Sequence, residues 1–268
     1  MTCATPCAAA TSRPLRPLRE CSGWNPSLKL THNGATDFNT GDAIRMALDI
    51  GAAPVGNRSG CHAVAWERNA PEFGDLAVGD QFQKHSYPWG IYINAEGERF
   101  VDEGADFQNY TYAKYGRVIL NQPGQFAWQI FDAKVKGQLR DEYRIKQVTK
   151  VTANTLEELV KKLDDVNAEV ALKEIKAYNA AVKTDIPFNP TSRTAAAPKA
   201  WPSTNPTGPT PSTPRPSRPT PSPAASLSLS ELVGGIFYFN YPGGTGLTNG
   251  AVFGKIAGAS AAKQAAKH

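Results

Sequence analysis

Apolar positions recur in short, well-bounded patterns between residues 36 and 198. Ile44, Ala47 and Leu48 share one face of a helix predicted over 41–50, with Thr40 placed to cap it and Gly51 to stop it. From Gly90 to Asn94 the run Ile91-Tyr92-Ile93 suits a half-buried strand; Asn94-Ala-Glu-Gly97 turns the chain, and Arg99-Phe100-Val101 is predicted as the returning strand of a hairpin. Thr155 and Glu158 form a capping box ahead of Leu156, Leu159, Val160 and Leu163. Leu172, Ile175, Tyr178 and Val182 mark a further amphipathic helix. Helices and a small sheet are segregated rather than alternating, which is an α+β pattern. Residues 1–35 sustain no period and read as irregular and disordered.

Composition changes this picture between 199 and 229. Nine prolines lie between 202 and 223, interleaved with Ser, Thr and Arg. Proline fixes φ and removes an amide donor, so neither a helix nor a central strand forms there. The segment reads as a disordered linker of polyproline II character, or as a ligand for a proline-recognition domain. Residues 230–268 are ordered again.

Charge and cysteines mainly exclude. The formal charge of +5 is diffuse, with no basic and aromatic stripe, so nucleic acid is not an expected partner. No stretch of 18 apolar residues is present, so no membrane span is expected. Cys3, Cys7, Cys21 and Cys61 complete neither a zinc set nor a disulfide framework, which points to no metal and to a reducing, intracellular and cytoplasmic setting. Met1–Arg19 has no acidic residue, as in an organelle transit peptide, but Pro6, Pro14 and Pro17 interrupt the helix such a signal needs.

The segment richest in candidate chemistry is Glu231-Leu-Val-Gly-Gly-Ile-Phe-Tyr-Phe-Asn-Tyr-Pro-Gly-Gly-Thr-Gly-Leu-Thr-Asn-Gly. An apolar run, 236–239, precedes a glycine loop, 243–246, and a helix is predicted from about Leu247. Gly250, Gly254 and Gly258 leave that helix one bare face, which a backbone or a flat ligand can approach. Its start offers unpaired amides at the positive end of the dipole, suited to the negative charge of a reduced flavin. The same loop also suits a helix packed tightly on a sheet. No Gly-Lys-Ser/Thr follows, which argues against a phosphate loop. No G-x-G-x-x-G unit is present to hold a dinucleotide pyrophosphate.

Gly-Gly-Thr-Gly-Leu-Thr after Glu231-Leu-Val-Gly-Gly resembles the C-terminal flavin segment of the fumarate reductase/succinate dehydrogenase flavoprotein family, FAD-dependent oxidoreductases of the second FAD-binding class. Asn39-Thr-Gly-Asp-Ala-Ile-Arg-Met-Ala-Leu-Asp-Ile-Gly-Ala52 resembles its T-G-D-G helix segment, and Gly90-Ile-Tyr-Ile-Asn-Ala-Glu-Gly-Glu-Arg-Phe-Val-Asp-Glu103 its hairpin. Ser59-Gly-Cys-His-Ala-Val-Ala-Trp66 and Gln83-Lys-His-Ser-Tyr-Pro88 are most similar to the tricarballylate dehydrogenase branch. These motifs cover 36–198 and 231–262.

The resemblance implies an FAD-dependent oxidoreductase that passes hydride between flavin N5 and a small polycarboxylate. It implies that Asp42, Glu231, Gly244, Gly246, Leu247 and Thr248 contact FAD, and that His62, His85 and Tyr241 orient substrate. It divides the chain into a partial FAD-binding segment with a capping domain over 36–198 and a C-terminal FAD-binding segment over 230–268. Departures are specific. The family's proton-shuttling arginine falls near Phe107-Gln108, with Lys114 and Arg117 the nearby charges. Tyr241 stands where fumarate reductases carry an arginine. The pyrophosphate-binding part is missing, and unrelated sequence begins abruptly at 1–35 and 199–229, the pattern expected of out-of-frame or intron-derived translation. The alternative function is a truncated, inactive flavoprotein remnant that does not retain FAD.

Overall fold

The computed structural model describes residues 2–9, 42–52, 64–71, 75–79, 81–182, 233, 236 and 242–266. Their regular elements run in the order β1 (Thr2–Ala9), α1 (Asp42–Asp49), β2 (Ala65–Glu67), β3 (Gly90–Asn94), α2 (Gln108–Leu120), β4 (Phe126–Phe131), β5 (Val151–Ala153), α3 (Leu156–Val160), α4 (Ala168–Ala181) and α5 (Thr245–Ala265). This is a mixed helix and sheet architecture with one small sheet, as the segregated pattern predicts.

All pairings named in the sheet are antiparallel. β1 carries β4 along one edge; on the other, β5 pairs with its first half and β2 with its second. β3 joins the free edge of β4 in the register Ile91↔Ile130, Tyr92↔Gln129, Ile93↔Trp128. Thr2–Ala9 thus form an interior strand inside the stretch expected to be irregular. Its Pro6, opposite Trp128, has no amide to give the ladder, and the Ala and Cys around it set up no alternation. Partners far along the chain make the strand, and local pattern does not show them.

Side-chain alternation along β3 and β4 separates two cores. Ile91, Ile93, Phe126, Trp128 and Ile130 face one layer with Leu159, Val160, Leu163, Ala171 and Ile175 of the α3–α4 region. Tyr92 and Ala127 face the other, with Tyr87, Tyr115 and Ile119. β4 is buried along its whole length because both of its faces are covered.

Local signals act largely as the sequence predicts. Gly51 ends α1 in the left-handed region at φ +88°, with its N–H on the Leu48 carbonyl and the Ala52 N–H on that of Ala47. The Thr155 hydroxyl accepts from the Glu158 N–H at 3.2 Å, and the Glu158 carboxylate reaches back to the Asn154 N–H at 3.4 Å. Thr40 lies outside the described residues.

Arg99–Val101 form no strand. The Glu103 carboxylate accepts the Tyr92 N–H at 2.7 Å and holds Arg99 at 2.5 Å, so a side chain replaces the carbonyl that a hairpin partner would offer.

The turn at 94–97 is also where α4 docks. Gly97 has φ +87°, and a Cβ there would lie 2.6 Å from both the Ala171 nitrogen and the Asn167 carbonyl oxygen. Gly97→Ala therefore combines a left-handed strain with a backbone clash. It is expected to lower the unfolding free energy by about 2–3 kcal/mol, seen in urea as a lower midpoint at unchanged slope.

Candidate functional site

The glycine loop and His85 are separated by about 160 residues of sequence, yet both meet α2. α5 begins at Thr245 after Gly244, whose φ of +88° is accessible at little cost only without a side chain. The Gly243 N–H donates to the Asn109 carbonyl at 2.9 Å. A Cβ on Gly243 would lie 3.6 Å from Asn109 and 3.7 Å from Tyr112, so the loop touches the N-terminal part of α2. The Thr245 hydroxyl donates to the Pro242 carbonyl at 2.6 Å, and that of Thr248 to Gly244 at 3.3 Å. Both hydroxyls thus bond backbone carbonyls of the loop, and Gly244 supplies no side-chain cap. Leu247 is 85% exposed, so the start of a 21-residue helix opens to solvent.

His85 also packs against Tyr112. It lies in an extended segment paired to β2, with the Lys84 N–H on the Ala65 carbonyl and the Glu67 N–H on that of Phe82. It is 6% exposed, and its ring centroid lies 5.0 Å from that of Tyr112. Tyr112 is therefore the shared wall between the imidazole and the glycine loop.

The position of the expected arginine also falls here. Phe107 caps α2 and Gln108 opens it, and the Gln108 carbonyl accepts from the Tyr87 hydroxyl at 3.3 Å. Tyr87 and Thr111 share a further hydroxyl–hydroxyl contact. Burial pushes the Tyr87 and Tyr115 phenols well above the ordinary tyrosine range, so both stay protonated at neutral pH. Lys114 is exposed on α2, its ammonium 5.9 Å from the Tyr115 ring, and Arg117 is half-buried.

The arrangement suits the electron-rich edge of a flavin ring. The glycine cap sets the positive dipole end of α5 beside the loop with no side chain in between; the Thr245 amide, expected to be unpaired, is already bonded to the Pro242 carbonyl at 3.2 Å. Gly246 and Leu247 lie in that first turn, followed by Thr248. Of Asp42 the backbone is described, at the first position of α1. His62, Glu231 and Tyr241 lie outside the described residues, as does the proline-rich segment. Among the described residues no group of three His, Cys, Asp or Glu side chains is placed to hold a metal ion, and no helix is long and apolar enough to cross a membrane.

A cleft of about 310 Å³ lies elsewhere, between Trp89, Phe131 and Tyr178. Its floor of Ile91, Ile130 and Ile175 belongs to the core layer opposite Tyr92 and Ala127, away from the α2 site.

The chain is similar to a probable fumarate reductase. The relative is probable fumarate reductase Ifc3 of Shewanella frigidimarina (strain NCIMB 400), at 29% identity over 261 residues. The match takes in 90% of this chain, more than the motif-bearing segments alone, and 41% of the relative. The chain thus spans about two fifths of the length of the curated relative it matches. No family model matches the chain, and no solved structure matches it.

Two neighbours of the candidate site carry little signal in the sequence. Tyr112 sits in a helix whose apolar face is built largely from tyrosine and alanine, so it reads as core. Gln129 lies in an apolar run, and its only local signal is that it is the one amide in Phe-Ala-Trp-Gln-Ile-Phe.

Proposed function

We propose that the chain is the capping and flavin-edge portion of an FAD-dependent oxidoreductase acting on a small polycarboxylate. The observation that carries this reading is the convergence of the glycine loop and His85 on Tyr112. The similarity to a probable fumarate reductase supports it.

FAD, when bound, supplies hydride transfer at N5. The chain's own residues do the rest. Gly246 and Leu247 would lie against the electron-rich edge of the ring, where the positive end of the helix would favour negative charge, by the logic of an oxyanion hole. Asp42, Glu231, Gly244 and Thr248 would complete the cofactor contacts. His85, with His62 and Tyr241, orients the substrate carboxylates, and His85 relays a proton to or from the reacting carbon. Tyr112 screens the imidazole from water on one side.

Purified chain is to be mixed with excess FAD, passed over a desalting column and melted with and without the cofactor. Weak retention of flavin absorbance is expected, because pyrophosphate contacts are lacking, with a stabilisation of about 2.7 kcal/mol when FAD is in hundredfold excess over Kd. A colourless protein whose melting FAD does not shift overturns the proposal in favour of a remnant that does not retain the cofactor.

A further inference from the structure

His85 is held from both sides by side chains that bond to each other. The Gln129 amide nitrogen donates to the Lys84 carbonyl at 3.0 Å, which fixes the peptide plane before His85. The Ser86 N–H donates to the Tyr143 hydroxyl at 2.9 Å, which fixes the plane after it. The Tyr143 hydroxyl in turn donates to the Gln129 amide oxygen, so the two planes share one scaffold. The second Gln129 N–H reaches the Tyr92 hydroxyl at 2.8 Å, directly across the sheet. The Ser86 hydroxyl accepts the Arg140 N–H at 3.1 Å, which ties the segment to the loop that carries Tyr143.

This network is satisfied and dry. Gln129 is fully buried, and Ser86 and Tyr143 nearly so. Both donors of Gln129 face acceptors and its oxygen faces a hydroxyl donor; a flipped amide would set oxygen against the Lys84 carbonyl. A core of this size needs no polar groups for its stability, since apolar residues fill it at no desolvation cost. These polar groups instead terminate on the carbonyl before His85 and the amide after it. Fixing both planes fixes φ and ψ of His85, and these limit which rotamers its imidazole can take. The ring then faces Tyr112 in one orientation.

We propose that Gln129, Tyr143 and Ser86 are positioning residues that aim the His85 imidazole, an inference that rests on the reading of His85 as a substrate-orienting group. Preorganisation of this kind acts on affinity and rate through geometry, since a shift of about 1 Å at a reacting group costs up to about a hundredfold.

The test uses the full chain loaded with FAD, with histidine ring signals followed by NMR and assigned among the four histidines by substitution. Succinate is the probe. Tyr143→Phe keeps the ring against Phe131 and deletes only the hydroxyl. It is expected to move or split the His85 ring signal without ligand, and to raise the succinate dissociation constant about tenfold. Ser86→Ala, a gentler change, should shift the same signal in the same direction by less, and serves if Tyr143→Phe does not fold. Trp128→Phe deletes a bond to the Asp164 carbonyl in the opposite core and should lower stability with the His85 signal unmoved.

An unmoved His85 signal in both Tyr143→Phe and Ser86→Ala overturns the inference, whatever succinate does. A wild-type His85 signal that ignores succinate, with both variants still shifting it, overturns the substrate role of His85 and leaves the positioning intact.

Discussion

Lys84→Met is expected to lower the unfolding free energy by about 3–5 kcal/mol at neutral pH, because it strands a buried carboxylate. The side chains of Lys84 and Glu67 are both fully buried, with the ammonium 4.0 Å from the carboxylate. The ammonium also donates to the carbonyls of Phe82, Gln83 and Glu142, each at 3.2 Å. It thus neutralises Glu67 and ties the 81–84 turn to the loop at Glu142. Burial pushes the Glu67 carboxyl above its ordinary range, and Lys84 is the leading influence holding it down. Without the ammonium the carboxyl moves further up. A carboxyl whose folded pKa is raised contributes stability in full below its unfolded value of 4.5, and that contribution is lost as pH rises through the folded pKa. The deficit of Lys84→Met is therefore expected to be largest near neutrality and to shrink on acidification. Urea unfolding of wild type and variant across pH checks this, and a deficit that is flat with pH contradicts it. Lys84→Met/Glu67→Leu should recover most of the loss, since removing both charges also removes their desolvation. His85 follows Lys84 directly, so the single variant is also expected to loosen the α2 site.

How far these features show in the sequence depends on how local they are. The end of α1 at Gly51, the cap at Thr155 and the glycine turn before α5 rest on residues within one turn of each other, and their composition announces them. α5 starts at Thr245, two positions ahead of the expected Leu247, because Gly244 rather than Gly246 takes the left-handed cap. β4 is harder, since it is apolar on both faces and carries no period; the Pro-Gly turn ahead of it and its uninterrupted run are the available signals. β1 is hidden altogether, because its strand character comes from β4, β5 and β2, and Pro6 argues locally against it. Arg99–Val101 shows the reverse case: a sound hairpin pattern loses to one buried carboxylate, that of Glu103, on the amide the hairpin needed.

The candidate site divides along the same line. The glycine loop is visible as composition, and His85 is visible through family resemblance. Their meeting on Tyr112 joins segments distant in the chain, and the bonds from Gln129 and Tyr143 to the backbone beside His85 span 45 and 57 residues. No spacing rule reaches that distance, so the order of contacts comes only from the folded sheet.

His85→Ala in the FAD-loaded chain is expected to lower kcat/KM for dicarboxylate turnover by about 10²–10⁴-fold, the range for loss of a positioned proton-transfer group. His85 is nearly buried and packs on Tyr112, so alanine also leaves a cavity and lowers stability. The two effects need separating, and His85→Phe does so. A phenyl ring keeps the aromatic contact with Tyr112 and fills the space, so it should return most of the stability while leaving turnover as low as in the alanine variant. If His85 only packs, His85→Phe restores both together. The split between kcat and KM then distinguishes the roles. Loss confined to KM marks a carboxylate ligand that binds ground and transition states alike, whereas loss in kcat marks a group acting on the proton in the transition state. The geometry favours a kcat effect. The imidazole lies behind Tyr112 rather than open to solvent, where a simple anion-binding residue would gain substrate faster. A dry imidazole held in one orientation suits proton transfer, which depends on aim more than on access.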